Sequence, residues 1–186
     1  MFDKSDWVGL LAWVGFALLV PAALVRRKAI GYSYRGLVKP FLAPPGWLFP
    51  VAWTLVYALS GIASFMAWRA GPGESWDDRE GTYRDALGLY VAQHLCMSLW
   101  PALFFSRGWV GVAFFDIVTA LSLAIPALVF FVELDVLAGA LFVPCLVWQF
   151  YVACVNMGIW YLNGAFLPSL PVHPPGATSL AAQSRV

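Results

Sequence analysis

The sequence predicts an all-α membrane protein, a five-transmembrane-helix bundle. Composition predicts it first: the 186 residues are 61% hydrophobic and 11% charged, with mean hydropathy +0.76, whereas soluble domains carry about 25% charged residues. Segmentation predicts it second. Apolar runs at about 7–25, 47–69, 86–105, 109–132 and 136–161 reach or approach the roughly 20 residues that a helix needs to cross a bilayer. Charge placement is the third. Five spans put Arg26, Arg27, Lys28, Arg35, Lys39, Arg107 and Arg185 on one face with no acid. The other face receives Asp3, Asp6, Glu74, Asp77, Asp78, Glu80, Asp85, Glu133 and Asp135 beside Lys4, Arg69, Arg79 and Arg84. Four or six spans would scramble this segregation.

Each element follows in order. The residues before the first span include Asp3, Lys4 and Asp6, so the positive n-region of a signal peptide is missing, and the apolar run exceeds an h-region. A retained span is expected, in preference to an amphipathic helix on the surface. The 26–46 loop is basic, then proline-rich. Residues 70–85, "AGPGESWDDREGTYRD", read as a solvated, acidic linker. The turns at 106–108 and 133–135 are short enough to make spans three, four and five antiparallel neighbours. Residues 1–163 form one transmembrane domain, and 164–186, rich in proline and small residues, read as a flexible tail. Every span holds a proline (Pro21, Pro50, Pro101, Pro126, Pro144); bent helices leave room for an internal pocket, although prolines are also ordinary in membrane helices. Because basic residues collect on the cytosolic side, the C-terminus is expected in the cytosol and the N-terminus outside.

The chain offers little for acid–base chemistry, and no catalytic residue is assigned. His94, Asp116, Gln93 and Asn156 are the strongly polar side chains well within spans. An ionisable group at depth is a functional candidate because burying it is costly. Asp116 has the alternative of reaching interfacial water or Arg107, and His94 that of an interfacial or helix-bonding histidine. Cys96, Cys145 and Cys154 all fall within spans, lack metal-ligand spacing and read as apolar fillers. No metal cluster, phosphate loop or nucleic-acid patch is present, so a hydrolase or metalloenzyme is not expected and nucleic acid is not a partner.

Aromatic surface is in excess: ten Trp, seven Tyr and fourteen Phe. Trp7, Trp47, Trp68 and Trp109, near span ends, read as interfacial anchors. Trp53 and Tyr57 share a helix face, Gln93, Met97 and Trp100 form a stripe on span three, and Trp148 follows Pro144 on span five. Pooled in one cavity, these side chains suit a large flat apolar ligand; alternatively they simply pack the bundle.

The stretch "YRGLVKPFLAPPGWLFPVAWTLVY" (34–57) resembles the signature loop and second span of the translocator protein family (TspO/MBR), the tryptophan-rich sensory proteins or peripheral benzodiazepine receptors. Tyr34, Leu37, Lys39, Pro40, Pro44, Pro45, Trp47, Phe49, Pro50, Trp53 and Tyr57 match its pattern. Span three, "YVAQHLCMSLWPALFF", matches at Tyr90, Gln93, Trp100, Phe104 and Phe105. Span five matches at Leu134, Asp135, Ala138, Gly139, Leu141, Pro144, Leu146, Trp148 and Asn156, and Asp116 falls where many members carry an aspartate. The resemblance covers roughly residues 7–163.

It implies a five-helix bundle whose proline-rich loop between helices 1 and 2 folds as a lid over a pocket. The implied ligands are porphyrins (a tetrapyrrole such as protoporphyrin IX or heme, bound as ligand with no cofactor) and benzodiazepine-type compounds, with sterols in animal members. The positions it marks as ligand-binding are Tyr34, Pro45, Phe49, Trp53, Tyr57, Met97, Trp100 and Trp148. The sequence departs from the family at Ser33, Leu42, Met97 and Cys145, where the family carries Trp, Trp, Asn and Tyr, and the sterol motif is absent after Asn156. A membrane receptor or carrier for a hydrophobic small molecule is therefore expected. The alternatives are a porphyrin-degrading membrane enzyme and a partner-binding scaffold or homodimer using small-residue faces such as Gly88/Ala92. The family's eukaryotic home is the mitochondrial outer membrane; a bacterial membrane is the other setting.

Overall fold

The computed structural model describes residues 3–24, 34–71 and 79–164. Its elements are α1 (Lys4–Leu24), α2 (Leu48–Arg69), α3 (Arg79–Pro101), a π-helical turn (Ala102–Arg107), α4 (Val110–Leu134) and α5 (Val136–Leu162). Among the described residues, five helical stretches are long and apolar enough to cross a membrane, with α3 counted through its π-helical continuation. The chain is a multi-pass integral membrane protein. Arg26, Arg27, Lys28, the centre of the acidic linker and the tail beyond Gly164 lie outside the described residues.

Local chemistry sets the helix ends. Before α1, the backbone N–H of Asp6 donates to Asp3 Oδ1 at 2.8 Å, and that of Asp3 donates back to Asp6 Oδ2 at 3.1 Å. This reciprocal capping box satisfies donors that a helix start leaves open; the same hydrogen bonding, with that from Ser5 first, holds the Asp3 carboxyl below its usual range. Pro50 falls in the first turn of α2, where its missing N–H breaks no helical bond. Asp135 alone joins α4 to α5: its N–H donates to Phe131 O at 2.9 Å, while its Oδ1 accepts from Leu137 N and Ala138 N at 2.7 and 3.0 Å. Gly108, at φ 69°, supplies the left-handed residue that ends the π-helical turn.

One boundary differs from expectation. The linker expected to run to residue 85 becomes helical at Arg79, so α3 starts before its apolar stretch does. Apolar composition marks where lipid begins, whereas backbone hydrogen bonding lets a helix continue through polar residues into water.

The helices neighbour one another in the order α1–α2–α5–α4–α3, and α3 closes the ring against α1. Small residues allow the close approaches. A Cβ on Gly61 of α2 would lie 2.9 Å from Val14 Cα and 3.0 Å from Ala17 Cβ of α1. Contacts tie the helices together at both ends of the bundle. Asp6 and Arg69 pair at 3.1 Å at the acidic end. At the other end, the side chain of Asn163 accepts from Val38 N at 3.0 Å and donates to Val38 O at 2.8 Å.

Candidate functional site: a ring-lined cluster between α2, α3 and α5

The apolar face of α2 repeats through Phe49, Trp53, Tyr57 and Ser60, all buried. Helical spacing sets their rings in a column, with Trp53 stacked on Tyr57 at 5.3 Å. From α3, Trp100 meets Trp53 at 5.6 Å and lies stacked against Phe49 at 6.0 Å. From α5, the half-buried Trp148 meets Trp53 edge-on at 6.1 Å and Phe49 at 6.2 Å. The π-helical turn brings both Phe104 and Phe105 inward, Phe104 stacking on Trp100 at 4.8 Å.

The 34–47 segment is fastened across the basic end of this cluster. The buried Tyr34 ring packs on Phe49 at 5.3 Å, and its hydroxyl donates to Pro44 O at 2.7 Å. Burial pushes that phenol up to about 12. Lys39 Nζ sits 4.8 Å from the Tyr34 ring centre and donates to Leu37 O at 2.9 Å. Tyr151 of α5 donates to Leu42 O at 2.7 Å, and Pro40 packs against Gly158.

Of the eight positions marked for ligand, the structure gathers Tyr34, Phe49, Trp53, Tyr57, Trp100 and Trp148 into one set of touching rings. Met97 is fully buried alongside them, its carbonyl accepting from the Tyr57 hydroxyl at 3.2 Å. Pro45 is set apart: it is exposed, whereas its neighbour Pro44 is the buried proline.

The polar atoms of this region divide into two groups. Trp100 Nε1 donates to Asn156 Oδ1 at 2.8 Å, and Asn156 Nδ2 donates to Val110 O at 2.8 Å, which ties α3, α5 and α4 together. By contrast, Trp53 Nε1 and Trp148 Nε1 are buried with no hydrogen-bond partner, as are Gln93 Nε2 and Gln149 Oε1. A buried donor left unmade is costly, so these open groups beside a wall of rings make the cluster the candidate site.

The structure differs from an interfacial placement of His94 and from a pairing of Asp116 with Arg107. His94 is not interfacial: it is fully buried against Phe16, Tyr57 and Tyr90, with the backbone of Ala17 on α1 beside its ring. The early start of α3 explains the depth, since His94 lies about 22 Å along the axis from Arg79. Asp116 makes no ion pair with Arg107 among the described residues. The guanidinium lies 5.4 Å from the Trp109 ring instead, and Asp116 Oδ2 is buried without a partner. Sequence reasoning missed Gln149, an amide in an otherwise apolar stretch, together with the tethers from Tyr151 and Asn163.

A family model for the TspO/MBR family matches residues 7–162. The chain is 35% identical over 152 residues to a tryptophan-rich protein TspO of Archaeoglobus fulgidus, covering 81% of this chain and 90% of that one. It is 33% identical over 156 residues to a translocator protein of Sus scrofa (81% and 89% covered). With a tryptophan-rich sensory protein of Cereibacter sphaeroides it shares 32% identity over 162 residues (86% and 94% covered). Sequence motifs, five-helix architecture and coverage agree: the chain belongs to the TspO/MBR family.

Proposed function

We propose that this protein is a membrane receptor or carrier that holds a flat hydrophobic ligand, a tetrapyrrole such as protoporphyrin IX or heme, between α2, α3 and α5. The observation that carries the reading is the pairing of Trp53 with Trp148. Their rings meet edge-on at 6.1 Å, and both indole N–H groups are buried and unpartnered. Rings that part to admit a flat guest give it stacking surface on both faces, and each open N–H can then find an acceptor on it. The 34–47 segment serves as the cover. Pro40, Pro44 and Pro45 restrict its unfolded conformations, which lowers the entropy lost on closing. The basic end, where this cover sits, faces the cytosol by the positive-inside bias.

The test is a titration of the full chain in nanodiscs with protoporphyrin IX, followed by tryptophan fluorescence. Saturable quenching at micromolar ligand is expected, and it should be lost in the Trp53→Ala/Trp148→Ala double variant. No quenching, or quenching that the double variant leaves intact, overturns the reading.

A further inference from the structure

A groove of about 420 Å³ lies at the acidic end of the bundle and shares no residue with the ring cluster. It is lined by Leu10 of α1, by Ile62, Phe65, Met66 and Arg69 of α2, and by Asp135 at the α4–α5 junction. In the ring of helices α1 and α5 flank α2, so α2 forms the floor and its two neighbours the walls. Helical spacing orders the chemistry along that floor. Ile62, Met66 and Arg69 fall at i, i+4 and i+7, so apolar side chains lead to a guanidinium over about 10 Å of axis. On α1, Leu10 and Asp6 repeat the order, apolar below and charged above. Asp6 Oδ1 holds Arg69 Nε at 3.1 Å, and the Arg69 side chain is still 45% exposed. Asp135 Oδ1 is committed to Leu137 N and Ala138 N, and no hydrogen bond reaches its Oδ2 among the described residues.

We propose that this groove is a binding site for one phospholipid with a zwitterionic ethanolamine headgroup. An acyl chain lies along Leu10, Ile62, Phe65 and Met66, the phosphate accepts from Arg69, and the primary ammonium donates to Asp135. Charge complementarity selects this occupant. The groove sets one cation, Arg69, between the carboxylates of Asp6 and Asp135, with Glu133 two residues before the latter. An anionic headgroup gains the guanidinium but brings nothing to offset the carboxylates around it. A choline headgroup carries both charges, but its quaternary nitrogen has no N–H to give Asp135. Ethanolamine supplies both the phosphate and three N–H donors. Arg69 suits the phosphate because a guanidinium is a planar fork of five donors, of which the contact with Asp6 engages the Nε side. Lipid elsewhere on the bundle meets apolar side chains alone, so headgroup chemistry distinguishes this groove from the rest of the lipid-facing surface. The proposal is independent of what the ring cluster binds.

The test is native mass spectrometry of the full chain in detergent, titrated with palmitoyl-oleoyl phosphatidylethanolamine, phosphatidylcholine and phosphatidylglycerol. The wild type should retain one ethanolamine lipid about fivefold more tightly than either of the others. Arg69→Gln should bring ethanolamine down to the level of the other two. Asp135→Asn keeps an oxygen to cap α5 and should abolish the preference for ethanolamine over choline. Ile62→Trp fills the groove and should weaken retention of the ethanolamine lipid without touching a charge, and it serves where the charge variants do not fold. Asp6→Asn breaks the same ion pair as Arg69→Gln but leaves the guanidinium in place, so the preference should persist. Equal loss in Asp6→Asn and Arg69→Gln would assign the effect to the ion pair alone and overturns the site. Equal retention of the three lipids, or a preference that survives both Arg69→Gln and Ile62→Trp, overturns it as well. So does a dimer that Ile62→Trp dissociates while the lipids remain undiscriminated, which would make a second copy of the chain the occupant.

Discussion

The indole N–H of Trp100 donates to Asn156 Oδ1 at 2.8 Å, across the interface between α3 and α5, and the same amide reaches the first turn of α4 through Val110 O. One asparagine therefore couples three helices, and it takes Trp100 out of the set of indoles available to a ligand. Asn156→Leu strands a buried indole N–H. It should lower stability by about 1–2 kcal/mol, read as an earlier midpoint of SDS-driven unfolding. The double variant with Trp100→Phe should lose less than the sum of the single losses, because both remove the same bond.

Trp148 stands in the opposite position. Its ring contacts are like those of Trp100, but its N–H has no partner. Trp148→Phe keeps much of the ring surface and removes an unsatisfied donor. Stability should hold or rise by up to about 1 kcal/mol, while porphyrin affinity falls several-fold. Parallel unfolding and fluorescence titrations separate the two effects, and a clear loss of stability would show that the N–H is satisfied within the protein.

Gly61 marks where α1 and α2 touch through backbone. Gly61→Ala places a methyl group within 3.0 Å of Val14 Cα and at 3.0 Å from Ala17 Cβ, so the helices must separate, at about 1–3 kcal/mol. Gly88 is exposed in the interior of α3 with open space around it, and Gly88→Ala should raise stability by about 0.5–1 kcal/mol. Thermal unfolding of the two variants side by side provides the check.

The 34–47 segment should respond to alkaline pH through Tyr34. Burial raises its phenol from 10.0 to about 12. A raised acid pKa means that Tyr34 resists ionisation more when the segment is packed than when it is unfolded. The stabilisation is whole below pH 10 and is lost as pH rises from 10 towards 12. Limited proteolysis within residues 34–47 should therefore accelerate between pH 10 and about 12. Tyr34→Phe should lose that component of the acceleration and, lacking the bond to Pro44 O, should be cut faster at pH 9.

How much of this was legible in the chain follows a physical division. Length and apolar content are sums along a segment, so five spans and their approximate limits could be read directly. The charges expected at the two ends could be read in the same way, and the described residues place Asp6 and Arg69 together at one of them. Helical spacing placed Trp53 with Tyr57 and Met97 with Trp100. What spacing could not supply was any relation between helices. Trp100 and Trp148 look alike in the sequence, and only packing decides that one indole meets Asn156 while the other meets no acceptor.

The same holds for depth and partnership. His94 read as interfacial or helix-bonding because the apolar run begins late; α3 starts at Arg79 and carries the imidazole into the middle of the bundle, beside α1. Pro44 and Pro45 are adjacent and chemically identical, and the fold buries only the first. Gln93 and Gln149 lie 56 residues apart, and nothing local to either marks the other. The sequence by itself determined the solvent this protein occupies and the residues that line its helices, because transfer into lipid is a property of each segment alone. Tertiary structure decided which polar atoms remain unsatisfied, because a hydrogen bond depends on the distance between two groups that only the folded bundle sets.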